Sequence, residues 1–483
     1  MDVRTKALSG VVWSSFSQVG KQTIALLATV AISRALRPED FGLLALVMVG
    51  IRFAGILGEF GFSSALIQRK EISEDHQSSV FWANMLIGCS LMGLMALLSG
   101  SIAGFFNQPE IKPLIVLAAT NLVITPLYSV HRALLRRNLR FKAVGLIDLF
   151  GVFVTGVSGV AFVYSGMGVS SLILMELCGN FAVLVASVGA CRWWPKKWIS
   201  WAGLSDLLSY SLNLLGSNTV NYWVRNLDNL LIGKYIGDYQ LGLYSRSYGL
   251  MLMPVIQISG VIGNVMFPSL SRLGNDLEKI RSVYLRATGA IFLVTAPIML
   301  GFVAVADTAV PTLLGDQWKE MVPIIRVLCP LGAVQSILST VGWIYLSQNR
   351  TDLLLKWNLF SSPITMLSFV VGIYFGDALS VAIAYAVTYG IILGVPMFTI
   401  PARLIQLGWS DMITNLRGVA GCSLLMMVLV LSLERVLPNQ IMGFYRLAVL
   451  IPTGCACYIG ALWLFRIEAM HNVLRLLKDT YRA

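Results

Sequence analysis

Charge is what this sequence has least of. Asp, Glu, Lys and Arg make up only 12% of its 483 residues, about half the roughly 25% of an ordinary soluble domain. A water-facing surface cannot be built from so little polarity, so a soluble globular protein is excluded and the bilayer must be the solvent for most of the chain. Histidine is nearly absent. His76, His131 and His471 lie far apart in sequence, which argues against a metal site. Six of the seven cysteines sit inside apolar runs and Cys191 at the edge of one, so no disulfide framework is expected, and Cys455-x-Cys457 lacks the redox spacing. Catalytic signatures are missing too. There is no Walker A sequence, no G-x-S-x-G elbow, and no large outer loop for the paired acids of a membrane glycosyltransferase or ligase. The expectation is a protein that is no enzyme, holds no cofactor or metal, and does not draw directly on ATP.

What is present is apolar length. Hydrophobic residues make up 57% of the chain and the mean hydropathy is +0.75. A spanning helix needs roughly 20 apolar residues. Fourteen segments qualify: 10–33, 41–66, 79–106, 113–135, 144–164, 168–190, 206–235, 245–271, 285–308, 322–347, 355–375, 379–400, 417–434 and 443–465. Proline, glycine and charge clusters such as Arg37-Pro38-Glu39-Asp40 and Trp194-Pro195-Lys196-Lys197 break them. Arg4 and Lys6 precede the first segment and no A-x-A-type cleavage site follows, so it reads as a retained helix with its N-terminus inside. With that orientation 24 of the 36 Lys and Arg residues fall on the inner side and 9 on the outer. This bias places both termini in the cytoplasm, in agreement with an even number of helices. It also accounts for the net charge of +12, and with no basic tail or binding motif a nucleic-acid partner is not expected. Trp193, Trp194, Trp198 and Trp201 read as an interfacial aromatic belt.

The chain repeats itself. Ile32–Leu43 and Ile232–Leu243 align at an offset of 200, each ending a helix, turning, and entering the next with Phe41-Gly42-Leu43 or Leu241-Gly242-Leu243. At an offset of 205, Phe62-Ser63-Ser64 falls on Phe267-Pro268-Ser269. Helices one to six (1–200) and seven to twelve (201–405) thus read as parallel six-helix lobes related by an axis along the membrane normal, a transporter architecture. Residues 406–483 add two helices and a tail.

Ionisable residues at membrane depth cost roughly 2.5–3.5 kcal/mol each on insertion scales, so they should face a cavity or a partner. Helix one carries Ser14, Ser17, Gln18 and Lys21 on one face; helix two carries Arg52 and Glu59; helix seven carries Asn218, Asn221, Tyr222, Arg225 and Asp228. The repeat sets Lys21 on Asn221, Arg52 on Gln257 and Glu59 on Asn264. Lys21, Arg52 and Arg225 suit a diphosphate, which accepts several charge-assisted hydrogen bonds. Gln18, Asn218, Asn221, Tyr222, Gln257 and Asn264 suit sugars. Glu59, Asp148, Glu176 and Asp228 are candidates for coupling to H⁺ or Na⁺. The competing reading is internal ion pairing, Arg52 with Glu59 and Arg225 with Asp228. The basic run from His131, at the inner mouth of helix four, to Lys142 reads as topology and anionic-lipid contact, or as recruitment of a phosphorylated lipid.

Several of these segments resemble a known family. Arg37-Pro38-Glu39-Asp40-Phe41-Gly42 is similar to the turn after the first helix of polysaccharide-repeat-unit flippases. Phe60-Gly61-Phe62-Ser63-Ser64-Ala65-Leu66-Ile67-Gln68, Leu227-Asp228-Asn229-Leu230-Leu231-Ile232-Gly233-Lys234 and Phe267-Pro268-Ser269-Leu270-Ser271-Arg272 resemble its later signatures. The resemblance is to the Wzx-type, colanic-acid-exporter-like branch of the multidrug/oligosaccharidyl-lipid/polysaccharide exporter superfamily. It implies an all-α, MATE-like two-lobed bundle in the bacterial inner membrane. It also implies that an undecaprenyl-diphosphate-linked oligosaccharide is flipped to the periplasmic leaflet by alternating access, for exopolysaccharide or lipopolysaccharide assembly. The partners are then the lipid-linked oligosaccharide and membrane lipids, with a polysaccharide polymerase and a chain-length regulator as further candidates. Two rivals share the fold: a multidrug cation antiporter, which would need a net acidic cavity, and a lipid II flippase.

Overall fold

The computed structural model describes residues 3–69, 71–274, 276–438, 442–467 and 470. Every regular element among them is helical. In chain order these are α1 (Val3–Ala35), α2 (Pro38–Glu59), α3 (Phe62–Gln68), α4 (Glu74–Phe106), α5 (Ile111–Ala119), α6 (Asn121–Arg137), α7 (Phe141–Tyr164), α8 (Ser170–Cys191) and α9 (Trp201–Tyr235). There follow α10 (Asp238–Arg272), α11 (Leu277–Leu313), α12 (Met321–Leu338), α13 (Val341–Ser347), α14 (Thr351–Tyr374), α15 (Ala378–Val387), α16 (Gly394–Leu404), α17 (Trp409–Val436) and α18 (Gly443–Leu464).

Among the described residues, eleven stretches of 22 to 37 residues are long and apolar enough to cross a membrane. The protein is a multi-pass membrane protein. Four expected single helices are interrupted. Segment four is α5 and α6 joined at Thr120, segment ten is α12 and α13, and segment twelve is α15 and α16 joined by a π-helical turn at Thr388–Ile392. Three more helices, α1, α9 and α10, are 33, 35 and 35 residues long and coincide with expected segments one, seven and eight. Segment two, read as continuous over 41–66, is broken. Phe60 and Gly61 take left-handed φ values of 47° and 76°, ending α2 and restarting the chain as α3.

The chain divides into two compact units, Met1–Gly242 and Leu243–Ala483, with the boundary inside α10. In the first, α9 packs on α2, α3 and α4, and α7 is sandwiched between α1 and α8. Phe62, Leu66, Phe81, Val130, Leu134 and Leu207 form a core from α3, α4, α6 and α9. Arg137 caps the end of α3 by donating to the carbonyls of Leu66 at 3.0 Å and of Arg69. His131 is fully buried in this core, its Nε2 3.1 Å from the Trp193 carbonyl. This corrects the reading of the tryptophan belt. Trp194, Trp198 and Trp201 are exposed, but Trp193 is folded against His131 and donates from Nε1 to Glu74 Oε1 at 3.1 Å, because a buried imidazole and carboxylate need polar partners.

In the second unit α17 and α18 pack on α11 through Val305, Ala309, Met426, Val430, Leu447 and Leu450. Tyr458 donates to the Leu293 carbonyl at 2.7 Å. All seven cysteines are free thiols.

The repeat has a geometric counterpart at the start of α2. The Arg37 N–H donates to Asp40 Oδ2 at 2.8 Å and Pro38 occupies the first turn, where its missing N–H costs nothing. Gly42 then lies against the backbone at the start of α10. A Cβ there would sit 1.9 Å from the Asp238 carbonyl oxygen, and a Cβ on Gly242 would sit 1.8 Å from the Pro38 carbonyl oxygen. The contact is reciprocal at the repeat offset of 200, and backbone on both sides leaves nothing to yield. Gly42→Ala and Gly242→Ala should each destabilise the protein by about 1–3 kcal/mol. Gly100→Ala, in the open on α4, should be neutral or stabilising by up to about 1 kcal/mol. Thermal denaturation in detergent measures all three.

Candidate functional site

Within the first unit, α2, α6 and α8 enclose a polar space in two adjoining parts. The inner part is a cavity of about 170 Å³ lined by Arg52, Gly55 and Glu59 of α2, Asn121 and Thr125 of α6, and Glu176 and Asn180 of α8, with apolar Met48, Ile51, Leu122 and Pro126 between them. The outer part, about 520 Å³ and more open, shares Arg52, Gly55, Glu59 and Thr125 and adds Ser63, Ser64, Tyr128, Ser129, Arg132 and Arg136. The α6 residues 121, 125, 128, 129, 132 and 136 recur at helical spacing and so share one face. Arg52 and Glu59 share a face of α2 for the same reason, two turns apart.

Three guanidinium groups line the outer part. Arg132 donates to Asp148 Oδ1 at 2.5 Å, and Asp148 Oδ2 accepts from Lys21 Nζ at 3.4 Å. This ion-pair triad ties α1 and α6 to α7. Among the described residues no ion pair or hydrogen bond holds Arg52 or Arg136, and none joins Arg52 to Glu59. Behind the inner part, Asn180 Nδ2 donates to Asn121 Oδ1 at 2.8 Å.

The residues singled out in the sequence are distributed as follows. Arg52, Glu59 and Glu176 come together in the inner cavity. Lys21 lines neither part; it connects to the outer one through Asp148 and then Arg132. Asp148 was a candidate for ion coupling, and both its oxygens are engaged by cations. Arg225 is also absent from the lining. It is exposed on α9 and donates from Nε to Asn221 Oδ1 at 3.3 Å. Asn218 is exposed beside them. Tyr222 is buried and donates to the Val49 carbonyl of α2 at 2.6 Å, so its hydroxyl is committed to helix packing. Asp228 is buried and accepts the N–H of Asn229 at 2.8 Å. Gln18 and Gln257 are half-buried on α1 and α10. The side chains of Ser14, Ser17 and Asn264 lie outside the described residues, as do His471, Arg475, Lys478 and Arg482 of the tail.

Sequence reasoning missed Asn121, Thr125, Tyr128 and Asn180, and read Arg132 and Arg136 only as part of a basic run serving topology and lipid contact or recruitment of a phosphorylated lipid. A signal was available. The polar face of α6 is as regular as those of helices one, two and seven, but its basic end merged with the inner loop.

Comparison with known proteins decides the family. Residues 31–323, well over half of the chain, match the family described as polysaccharide biosynthesis protein. The chain belongs to that family. Among curated relatives, it is 26% identical over 387 residues to the lipopolysaccharide biosynthesis protein WzxC of Escherichia coli (strain K12), covering 80% of this chain and 79% of WzxC. It is 27% identical to the teichuronic acid biosynthesis protein TuaB of Bacillus subtilis (strain 168), covering 80% of each. Among solved structures, the lipid II flippase MurJ in an inward closed conformation superposes with a TM-score of 0.74 at 18% identity, covering 95% of this chain and 100% of MurJ. This likeness establishes the helical fold.

The triad at Asp148 makes a direct prediction. Its side chains are about one-fifth exposed, between the surface and buried limits for ion pairs. Asp148→Ala should cost about 1–3 kcal/mol of stability. Lys21→Met added to it should cost little more, since the lysine's partner has gone; a double-mutant cycle by thermal unfolding reads the coupling.

Proposed function

We propose that the protein flips an undecaprenyl-diphosphate-linked oligosaccharide from the cytoplasmic to the periplasmic leaflet of a bacterial inner membrane, with both termini in the cytoplasm. The observation that carries this reading is the set of three arginines, Arg52, Arg132 and Arg136, lining a space inside a membrane-embedded helical unit. Guanidinium groups at such a place require an anion, and their planar forks match phosphate oxygens two at a time. The diphosphate docks on this face, the sugars occupy polar space beside it, and the polyprenyl chain stays in the bilayer. Lys21 acts through Asp148, which sets the position of Arg132. Arg225 on α9 is a second basic contact for the passing headgroup. The cycle is alternating access, with energy from an H⁺ or Na⁺ gradient, and the product passes to a polymerase.

Membership in the polysaccharide biosynthesis family and the names of the relatives support this reading. A cation antiporter fits less well, since three arginines outnumber the two carboxylates of the same lining. A lipid II flippase is the second reading, favoured by the extent of the likeness to MurJ; its substrate carries the same diphosphate.

Deleting the gene should abolish surface polysaccharide while lipid-linked repeat units accumulate inside. Lost cell-wall integrity with normal polysaccharide would favour lipid II, and new drug sensitivity alone would favour the antiporter. Replacing Arg132 and Arg136 together with Ala should weaken binding of undecaprenyl diphosphate by roughly 10²- to 10⁴-fold, two charged hydrogen bonds at about 1.5–3 kcal/mol each. Export should be lost with the protein still inserted. Normal export in that variant would remove the anion site.

A further inference from the structure

The inner cavity has a chemical character of its own. Asn121 is 7% exposed. Its Oδ1 accepts from Asn180 Nδ2 at 2.8 Å. Its Nδ2 is then left with no partner among the described residues. Asn180 Oδ1 is taken as well, by the Tyr128 hydroxyl at 3.5 Å. The relay from Tyr128 through Asn180 to Asn121 therefore ends on an unmet N–H donor at the cavity wall. A buried donor left unpaired costs about 1–3 kcal/mol, and hydrocarbon around the bundle offers it no alternative.

The complement of that donor is not a metal ion. An amide nitrogen has no lone pair to give a cation. Around the same space stand Glu59 and Glu176, which only accept when ionised, and Arg52, which only donates. A donor amide, a guanidinium and two carboxylates, with apolar Met48, Ile51, Leu122 and Pro126 between them, match the hydroxyls and the C–H faces of a sugar ring. Each hydroxyl donates to a carboxylate and accepts from an amide or guanidinium. At about 170 Å³ the cavity lies below the roughly 300–1,000 Å³ of drug-sized ligand pockets. It has room for one ring and not for an oligosaccharide. It adjoins the arginine-lined outer part through Arg52 and Glu59, which face both.

We propose that this cavity recognises the first sugar of the lipid-linked substrate, the ring bonded directly to the diphosphate, with Asn121 and Glu176 as its specificity-determining residues. The proposal rests on the flippase reading above. It makes the identity of the first sugar the feature checked before translocation.

The test is equilibrium binding to the full-length protein in nanodiscs. The probes are undecaprenyl diphosphate and its glucose, galactose and N-acetylglucosamine monosaccharide derivatives. Wild type should bind one glycosylated lipid at least about tenfold more tightly than the sugarless lipid. Asn121→Asp, which keeps the bond from Asn180 but replaces the donor by an acceptor, should abolish that preference. Glu176→Gln should reduce it about tenfold, the equivalent of one charged hydrogen bond. Neither should move the affinity for undecaprenyl diphosphate by more than about twofold. Should Asn121→Asp fail to fold, as judged by its melting temperature, Glu176→Gln carries the test alone. Equal wild-type affinity for all four lipids, or loss of sugarless binding in the two variants, would overturn the proposal. So would Na⁺ binding in the absence of lipid that is lost in Glu176→Gln, which would assign the cavity to a coupling cation. Failure of wild type to bind even undecaprenyl diphosphate sinks the flippase reading itself, a separate outcome.

Discussion

A polar group inside a bilayer has no water to turn to, so each one must be met by another protein group or by a ligand. Most of the first unit's chemistry follows from this constraint. Asp148 pairs with both Lys21 and Arg132, one negative charge between two positive ones. The Tyr222 hydroxyl finds the Val49 carbonyl, the His131 ring finds the Trp193 carbonyl, and Arg137 finds the end of α3. Arg52, Arg136 and the Asn121 amide nitrogen are brought to one space without such partners among the described residues.

That space divides the labour of recognition along its depth. The open outer part carries the arginines and suits a charge-dense, flexible diphosphate, whose recognition depends on charge more than on shape. The enclosed inner part carries amides and carboxylates, whose hydrogen bonds have direction and so can distinguish one hydroxyl arrangement from another. Affinity and selectivity then come from different ends of the same cleft. Arg52 and Glu59 stand at the junction because a two-turn spacing on α2 spans both parts.

Much of the architecture was legible in the sequence, because hydropathy is a local sum over some twenty residues. The spans from α2 to α8 and from α11 to α18 fall where apolar runs predict them. The Arg37-Pro38-Glu39-Asp40 cluster breaks the chain where a turn was expected, and Gly42 and Gly242, 200 apart, make reciprocal contacts with Asp238 and Pro38. Less legible were the breaks at Phe60-Gly61, Thr120 and the π-turn, where local backbone geometry interrupts a run that stays apolar throughout. The site was half legible. Arg52, Glu59 and Glu176 were found because a charge in an apolar run announces itself. Asn121, Thr125 and Asn180 were missed because a neutral amide or hydroxyl does not. Arg132 and Arg136 were read with the basic run from His131 to Lys142 because a helix end and a basic loop have the same composition.

The amino-acid sequence alone determined that the chain lives in a membrane, that it is helical, where most helices lie, and that charge retained at depth must have a purpose. These are properties of segments, set by transfer free energy and helix periodicity. Only the tertiary structure decided which polar residues meet. Lys21 and Asp148 are 127 positions apart, and Asn121 and Asn180 are 59 apart. Whether a side chain faces lipid, a partner or a cavity depends on how each helix is rotated against its neighbours. That rotation is set by packing among residues distant in sequence, and no single helix records it.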